Sequence, residues 1–497
     1  MNKRALLLIL TICFLLQYSN AQRRLIPVDT AIVTHHTTTI NGTKLSYTAT
    51  AGTQPVWIND EVVASLYYTY YTRDISGSRD NRPLVISFNG GPGSASVWMH
   101  IGYTGPRVLK IDDEGYPVQP YGIRENPYSI LDVADIVYVN PVNTGYSRLV
   151  KDEDGNMPDR ELFFGINADI KYLAGWISTF ISRNNRWNSP KYIIGESYGG
   201  TRVSGLALEL QDAQWIYLNG VIMVSPADYK VFDSDVPISS GINLPYFAAA
   251  AWHHKMLPDE LQQKDLLEVL PEVEEFTLNT LIPALARGGF IKDDERAGVA
   301  EKMAYYSGIS KESILQHNLD VPTRFFWKEL LRDKSGYNIG RLDSRYLGLD
   351  KTEAGISPDF SAEMKSWNHS FAPAINYYIR EILNFKTDLR YNMSGDVRPW
   401  DNSDNNGRDN LREAMAGNPL LKVMFQAGYY DGACTYFNSK YTMWQIDPSG
   451  KMKERLSFKG YRSGHMMYLR HEDLKTANDD IREFIKNSFS EGKPAKY

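Results

Sequence analysis

Hydrophobic and polar positions change period several times along the chain, and the changes mark its elements. Residues 28–80 read as strands and turns. LSYTAT and VVASLYYTYYT are rich in Thr, Val and Tyr, and Asn41-Gly42 and Gly77-Ser78 punctuate them. From residue 82 short apolar runs take over. PLVISF runs into Asn89-Gly90-Gly91-Pro92-Gly93, and ADIVYV (134–139) into NPVNTGYS. KYIIG (191–195), LNGVIMVSP (218–226) and LLKVMFQAG (420–428) follow. Between them Phe163, Ile166, Ile170, Leu173, Ile177 and Phe180 step by three and four, which predicts a long amphipathic helix; a second helical pattern starts near Thr201.

Buried strands alternating with helices predict an α/β fold with a central, mostly parallel sheet. Residues 236–405 break the rhythm with mostly helical segments such as LLEVLPEVEEF, and leave through the polar stretch 394–410. The sheet pattern resumes at 420, so this stretch reads as a cap inserted into one domain. The expected organisation is a leader at 1–21, a first part of the sheet domain with an N-terminal β region at 22–235, a helical cap at 236–405 and a second part at 406–497. No internal repeat interrupts it.

Composition narrows the class. With 43% hydrophobic and 23% charged residues, the 497-residue chain is neither disordered, collagenous nor a polytopic membrane protein. The net charge of −5 and the lack of a long basic run argue against nucleic acid and anionic membranes as partners. Lys3 and Arg4 precede the apolar run 5–16, and Ser19-Asn20-Ala21 resembles a cleavage site, so residues 1–21 read as a secretory signal peptide. An uncleaved anchor is the alternative, but the run is short for a bilayer. Removing residues 1–21 deletes two positive charges and no acidic ones, taking −5 to −7, and leaves Cys434 as the lone cysteine. An exported protein without a disulfide must then rely on burial of its core, as in a periplasmic or extracellular bacterial enzyme.

Candidate chemistry centres on GESYG (195–199), a G-x-S-x-G between an apolar run and a helical pattern. A sharp strand-to-helix turn there would lift the Ser197 hydroxyl out of the sheet; a plain Gly-rich turn with a capping serine is the bland alternative. A hydroxyl needs a base, and the base an orienting carboxylate. In this architecture the order is Ser, then acid, then His. His465 in YRSGHMMYL follows a Ser-Gly turn and is the best of nine histidines; Asp431 leaves the end of LLKVMFQAG, 34 residues earlier. An oxyanion hole needs two backbone N–H groups. Tyr198, next after the serine, offers one, and Gly91 in the earlier Gly-rich turn the other. Metal-ligand spacing, Walker and dinucleotide patterns are absent from the sequence, so no metal or cofactor is expected.

FNGGPGSAS (88–96), PVNTGYS (141–147), GESYGG (195–200), GYYDGACTY (428–436) and SGHMMY (463–468) together resemble the serine carboxypeptidase family, in its order. VWMHIGYTGPR and GESYGGTR look most like its bacterial branch. The resemblance runs from about residue 45 to about 475. It implies an α/β-hydrolase fold and an exopeptidase that takes single residues from peptides with a free C-terminus. Ser197, Asp431 and His465 would be the triad, Gly91 and Tyr198 the oxyanion amides. Asn89, Gly90 and Glu196 would hold the substrate's terminal carboxylate. Two facing carboxylates repel unless they share a proton, so Glu196 would have to be protonated.

The chain also departs from the family pattern. Tyr103 stands where plant and yeast members have a second glutamate, Ser94 replaces a cysteine, and Asn140 and Asn143 replace an acid and a glycine. An esterase or acyltransferase on the same triad, and a silent binding scaffold, are the competing readings; a simple esterase has no need of the carboxylate clamp, and an intact Ser, Asp and His in order argues against the scaffold. The oligomeric state is not readable from the sequence.

Overall fold

The computed structural model describes residues 24–227, 237–489, 492 and 494–497; the expected leader lies outside them. The alternating N-terminal region forms an antiparallel meander of β1 (Thr30–Ile40), β2 (Thr43–Ile58) and β3 (Glu61–Arg73). Asn41 and Gly42 both take positive φ (47° and 78°), the geometry of the tight hairpin turn that Asn-Gly favours.

The apolar runs become β4 (Leu84–Phe88), β5 (Asp135–Val139), β6 (Lys191–Glu196), β7 (Gly220–Val224) and β8 (Lys422–Gly428). A further strand, β9 (Leu456–Tyr461), closes the edge. The order across the sheet is β1-β2-β3-β5-β4-β6-β7-β8-β9, and a two-residue segment, Arg148–Leu149, also pairs with β3. From β5 to β9 every pairing is parallel, while β3 meets β5 antiparallel.

The runs are mostly apolar and buried almost without a break because both faces of the sheet are covered. On β7, Val221 and Met223 join one core while Ile222 and Val224 join the other. The first core takes in the helices Ile166–Arg183, Tyr198–Asp212 and Gly407–Gly417; the second takes in His471–Ser488 and Ala362–Tyr377.

The long insertion between β7 and β8 is divided in its packing. Residues from Leu244 to Ile339 bury a core of their own, in which Phe247 and Phe326 stack at 4.1 Å. Trp367, Phe371, Tyr378 and Ile379, further along, instead return to the core beneath the sheet.

Candidate functional site

At the end of β6 the chain makes a turn that only small neighbours permit. Ser197 sits at φ 60°, ψ −126°, a sparsely populated region for a residue with a side chain. A Cβ on Gly195 would lie 2.1 Å from the Gly199 carbonyl oxygen, and one on Gly90 would lie 2.5 Å from the Tyr198 nitrogen. The Ser197 amide donates to Val224 O at 2.9 Å, and its carbonyl accepts from Gly200 N (2.8 Å) and Ala227 N (3.1 Å). The serine is thereby fixed at the head of the helix Tyr198–Asp212, partly open to solvent. Tyr198 is the first helical residue, so its N–H has no acceptor within the helix. Gly91, at φ 107°, carries the β4 loop past this helix end, with Gly90 against the Tyr198 amide.

Asp431 and His465 meet beyond the ends of β8 and β9. Asp431 Oδ2 lies 2.6 Å from His465 Nδ1, while Oδ1 accepts from Ala433 N (2.9 Å) and Cys434 N (3.0 Å). The turn of His465 is pinned twice: its N–H donates to Leu342 O at 2.6 Å, and its carbonyl accepts from Ser225 Oγ at 2.8 Å. Burial works against the imidazolium, yet the Asp431 carboxylate leaves the His465 pKa well above the usual imidazole range, with Cys434 adding to it. Asp431, Cys434 and His465 place three ligand-type atoms within 4.8 Å of one another. Asp431 Oδ1 is taken up by two backbone N–H groups and Oδ2 by the His465 ring nitrogen.

Asn89 follows β4 directly and is buried. Its Nδ2 donates to Glu196 Oε2, and its Oδ1 accepts from Met99 N at 3.1 Å. Its carbonyl accepts from Arg202 Nη1 at 2.5 Å, and Arg202 is fully buried against Asp169 at 2.7 Å. Glu196 is 2% exposed. Burial pushes its pKa up to about 7, against the opposing pull of His465 and of the hydrogen bond from Tyr468. The sequence-derived residues Asn89, Gly90, Gly91, Glu196 and Tyr198 thus lie in one patch around Ser197, and Asp431 and His465 form a hydrogen-bonded pair.

Some contacts had no signal in the sequence. Tyr468 donates to Glu196 Oε1 at 2.9 Å. Tyr103 donates instead to Gln426 Oε1 at 2.8 Å. The two departures at 140 and 143 act on the backbone: Asn140 Oδ1 accepts from Ser96 N at 3.0 Å, and Asn143 Nδ2 donates to Asp396 O at 2.9 Å. A hollow of about 970 Å³ beside the helix Ile166–Arg183 is lined by none of Ser197, Asp431 and His465; Trp400, which lines it, packs edge-on against Tyr198 at 5.4 Å.

A serine on a strand–turn–helix corner, followed in the chain by an acid and a histidine on later strands of a mostly parallel sheet, defines an α/β-hydrolase. The solved structure of Kex1(delta)p, a prohormone-processing carboxypeptidase from Saccharomyces cerevisiae, has the same fold. It is 14% identical, with a TM-score of 0.54 over 88% of this chain and 91% of that one. The family model for serine carboxypeptidase (Peptidase S10) matches residues 50–314. The chain belongs to the serine carboxypeptidase family. Among curated relatives, serine carboxypeptidase-like 8 of Arabidopsis thaliana is 25% identical over 190 residues, 36% of this chain and 41% of that protein. Serine carboxypeptidase-like 13 of the same plant is 24% identical over 352 residues, 69% and 73% of the two chains. The match to serine carboxypeptidase S10 family member 1 of Dictyostelium discoideum, 29% identical, covers 29% of this chain and 31% of that one. In the first matches the chain spans less than half the length of its relatives.

Proposed function

We propose that the protein is a serine carboxypeptidase that releases C-terminal amino acids from peptides. One observation carries the reading: Glu196, the residue before the nucleophile, is buried, is driven toward its neutral form and is joined to Asn89. A neutral carboxyl beside an amide donor can bind a peptide's terminal carboxylate; an ionised one would repel it. A clamp of this kind leaves no room for a continuing chain, and a simple esterase has no use for it.

In this reading His465 takes the proton of Ser197 as the hydroxyl attacks the last peptide carbonyl. The amides of Gly91 and Tyr198 receive the oxyanion, and His465 returns the proton to the departing amino acid. Water then attacks the acyl-enzyme by the same route. Turnover gains with pH as His465 becomes neutral, while substrate affinity falls as Glu196 ionises near pH 7.

Two N-blocked dipeptides, one with a free C-terminus and one amidated, test this at about pH 5 and about pH 8. Release of the last residue from the free acid alone, abolished in Ser197→Ala, is the expected result. Turnover of simple esters and of neither peptide would move the assignment to an esterase or acyltransferase, and no turnover of any acyl donor would favour a binding scaffold. We also propose export, with cleavage near Ala21 and a periplasmic or extracellular mature enzyme; N-terminal sequencing of protein recovered from its source cells tests it.

A further inference from the structure

Glu196 has a partner that neither the triad nor the pairing with Asn89 accounts for. The Tyr468 hydroxyl donates to Glu196 Oε1 at 2.9 Å, and both residues are buried. Tyr468 lies on the short turn Met467–Leu469, three residues beyond His465, so one segment carries the base and a contact to the clamp. Its ring cannot swing away. It stacks on Tyr103 at 4.7 Å and 10°, and it fills the space beside Gly102, where a Cβ would lie 2.8 Å from Tyr468 Cε2. Asn89 meets the other oxygen, Oε2.

We infer that Tyr468 is the positioning residue of the carboxylate clamp: its hydroxyl holds Glu196 Oε1, turns Oε2 toward Asn89 and the peptide terminus, and sets the upper pH limit of peptide binding. The inference rests on the carboxypeptidase reading above. In the bound state the Glu196 carboxyl donates its O–H to a substrate carboxylate oxygen, and no covalent bond changes. A phenol donating to Oε1 stabilises the ionised glutamate, so it counters burial, which favours the neutral one.

The other groups facing Glu196 divide in the same way. His465 favours its ionised form, and Asp431 opposes it. Tyr103 lies behind Tyr468 with its hydroxyl committed to Gln426. Tyr468 itself is held well above the usual phenol range, by burial first and then by the charge of Glu196, so it stays a donor. A tyrosine in this place supplies a donor and no second acid, so the clamp has a single titrating group.

The test measures binding of the N-blocked, free-acid dipeptide to the Ser197→Ala protein between pH 5 and pH 9. Affinity should fall through about pH 7. Adding Tyr468→Phe keeps the ring and its stacking and removes one hydrogen bond to a carboxylate. The fall should then move up by about one pH unit, which makes binding at pH 8 about fivefold tighter than with tyrosine. Fluorotyrosine at 468, a stronger donor of nearly the same shape, should move it down, and this keeps the test open if the phenylalanine protein does not fold. An unmoved midpoint, or a shift of the opposite sign, overturns the inference. Equal binding of the amidated peptide at every pH overturns the clamp reading and the inference with it.

Discussion

Two carboxylates are buried at the same end of the sheet with β7 between their strands, Asp431 after β8 and Glu196 at the end of β6, and their surroundings differ. Asp431 receives two backbone N–H groups on one oxygen and an imidazole on the other. Those donors come from the turn that follows it and from the neighbouring strand's loop, and the resulting negative charge holds up the pKa of His465. Glu196 has one amide and one phenol, both from side chains, and sits close enough to Asp431 to be pushed further toward neutrality. At equal burial one carboxylate faces the His465 ring, and the other is a glutamate whose pKa burial raises to about 7. The donors differ as well: the backbone supplies two to Asp431, while the two that meet Glu196 come from side chains.

Substitutions at the two sites should come apart accordingly. Asp431→Asn presents an amide N–H to His465 Nδ1 and favours the wrong tautomer. It should lower kcat by about 10⁴-fold and, at pH 5 where Glu196 stays protonated, leave the affinity for a free-acid peptide unchanged; a parallel loss of affinity at that pH would mean that the two carboxylates act as one unit.

Glu196→Gln should show its effect on stability. Between the ordinary value of 4.5 and about 7 the folded protein holds a proton that the unfolded chain releases. This contribution is complete below pH 4.5 and is lost as pH rises to about 7, up to about 3 kcal/mol. Glutamine cannot titrate. Urea unfolding at pH 4.5 and pH 8 should therefore show the wild type losing stability relative to Glu196→Gln, and parallel pH dependence would place Glu196 outside the low-dielectric interior.

Tyr103→Phe is the smallest of the three. It removes the donor to Gln426 Oε1 and should cost about 1 kcal/mol. The pH dependence of peptide affinity should not move. A shift would show that Tyr103 acts on Glu196 through Tyr468, on which it stacks.

Much of this was legible in the chain. The runs that became β4 to β8 are mostly apolar and almost continuously buried because both faces are covered, and the motif order Ser, Asp, His follows the order in which the strands arrive. The edge strand β9 left little trace: Ser457, Lys459 and Gly460 dilute its pattern, and its residues up to Gly460 are only half-buried. The insertion read as one helical cap, yet Trp367 and Phe371 pack into the main core while Phe247 and Phe326 pack into another. Helical periodicity shows that a face is apolar and says nothing about which surface covers it.

The sequence by itself determined the corner at Ser197, since Gly195 answers to crowding within the turn itself, where a Cβ would lie 2.1 Å from the Gly199 carbonyl oxygen. It also determined the class of sheet and the residues at its strand ends. Only the tertiary structure decided which side chains meet across those ends. Tyr468 reaches Glu196 over 272 residues of chain, Tyr103 turns away to Gln426 over 323, and Leu342 of the insertion holds the amide of His465. Such contacts follow from the order of strands in the sheet and the return path of the insertion. The pKa of Glu196 belongs with them, because burial and donors are supplied by parts of the chain that share no local pattern with the residue they control.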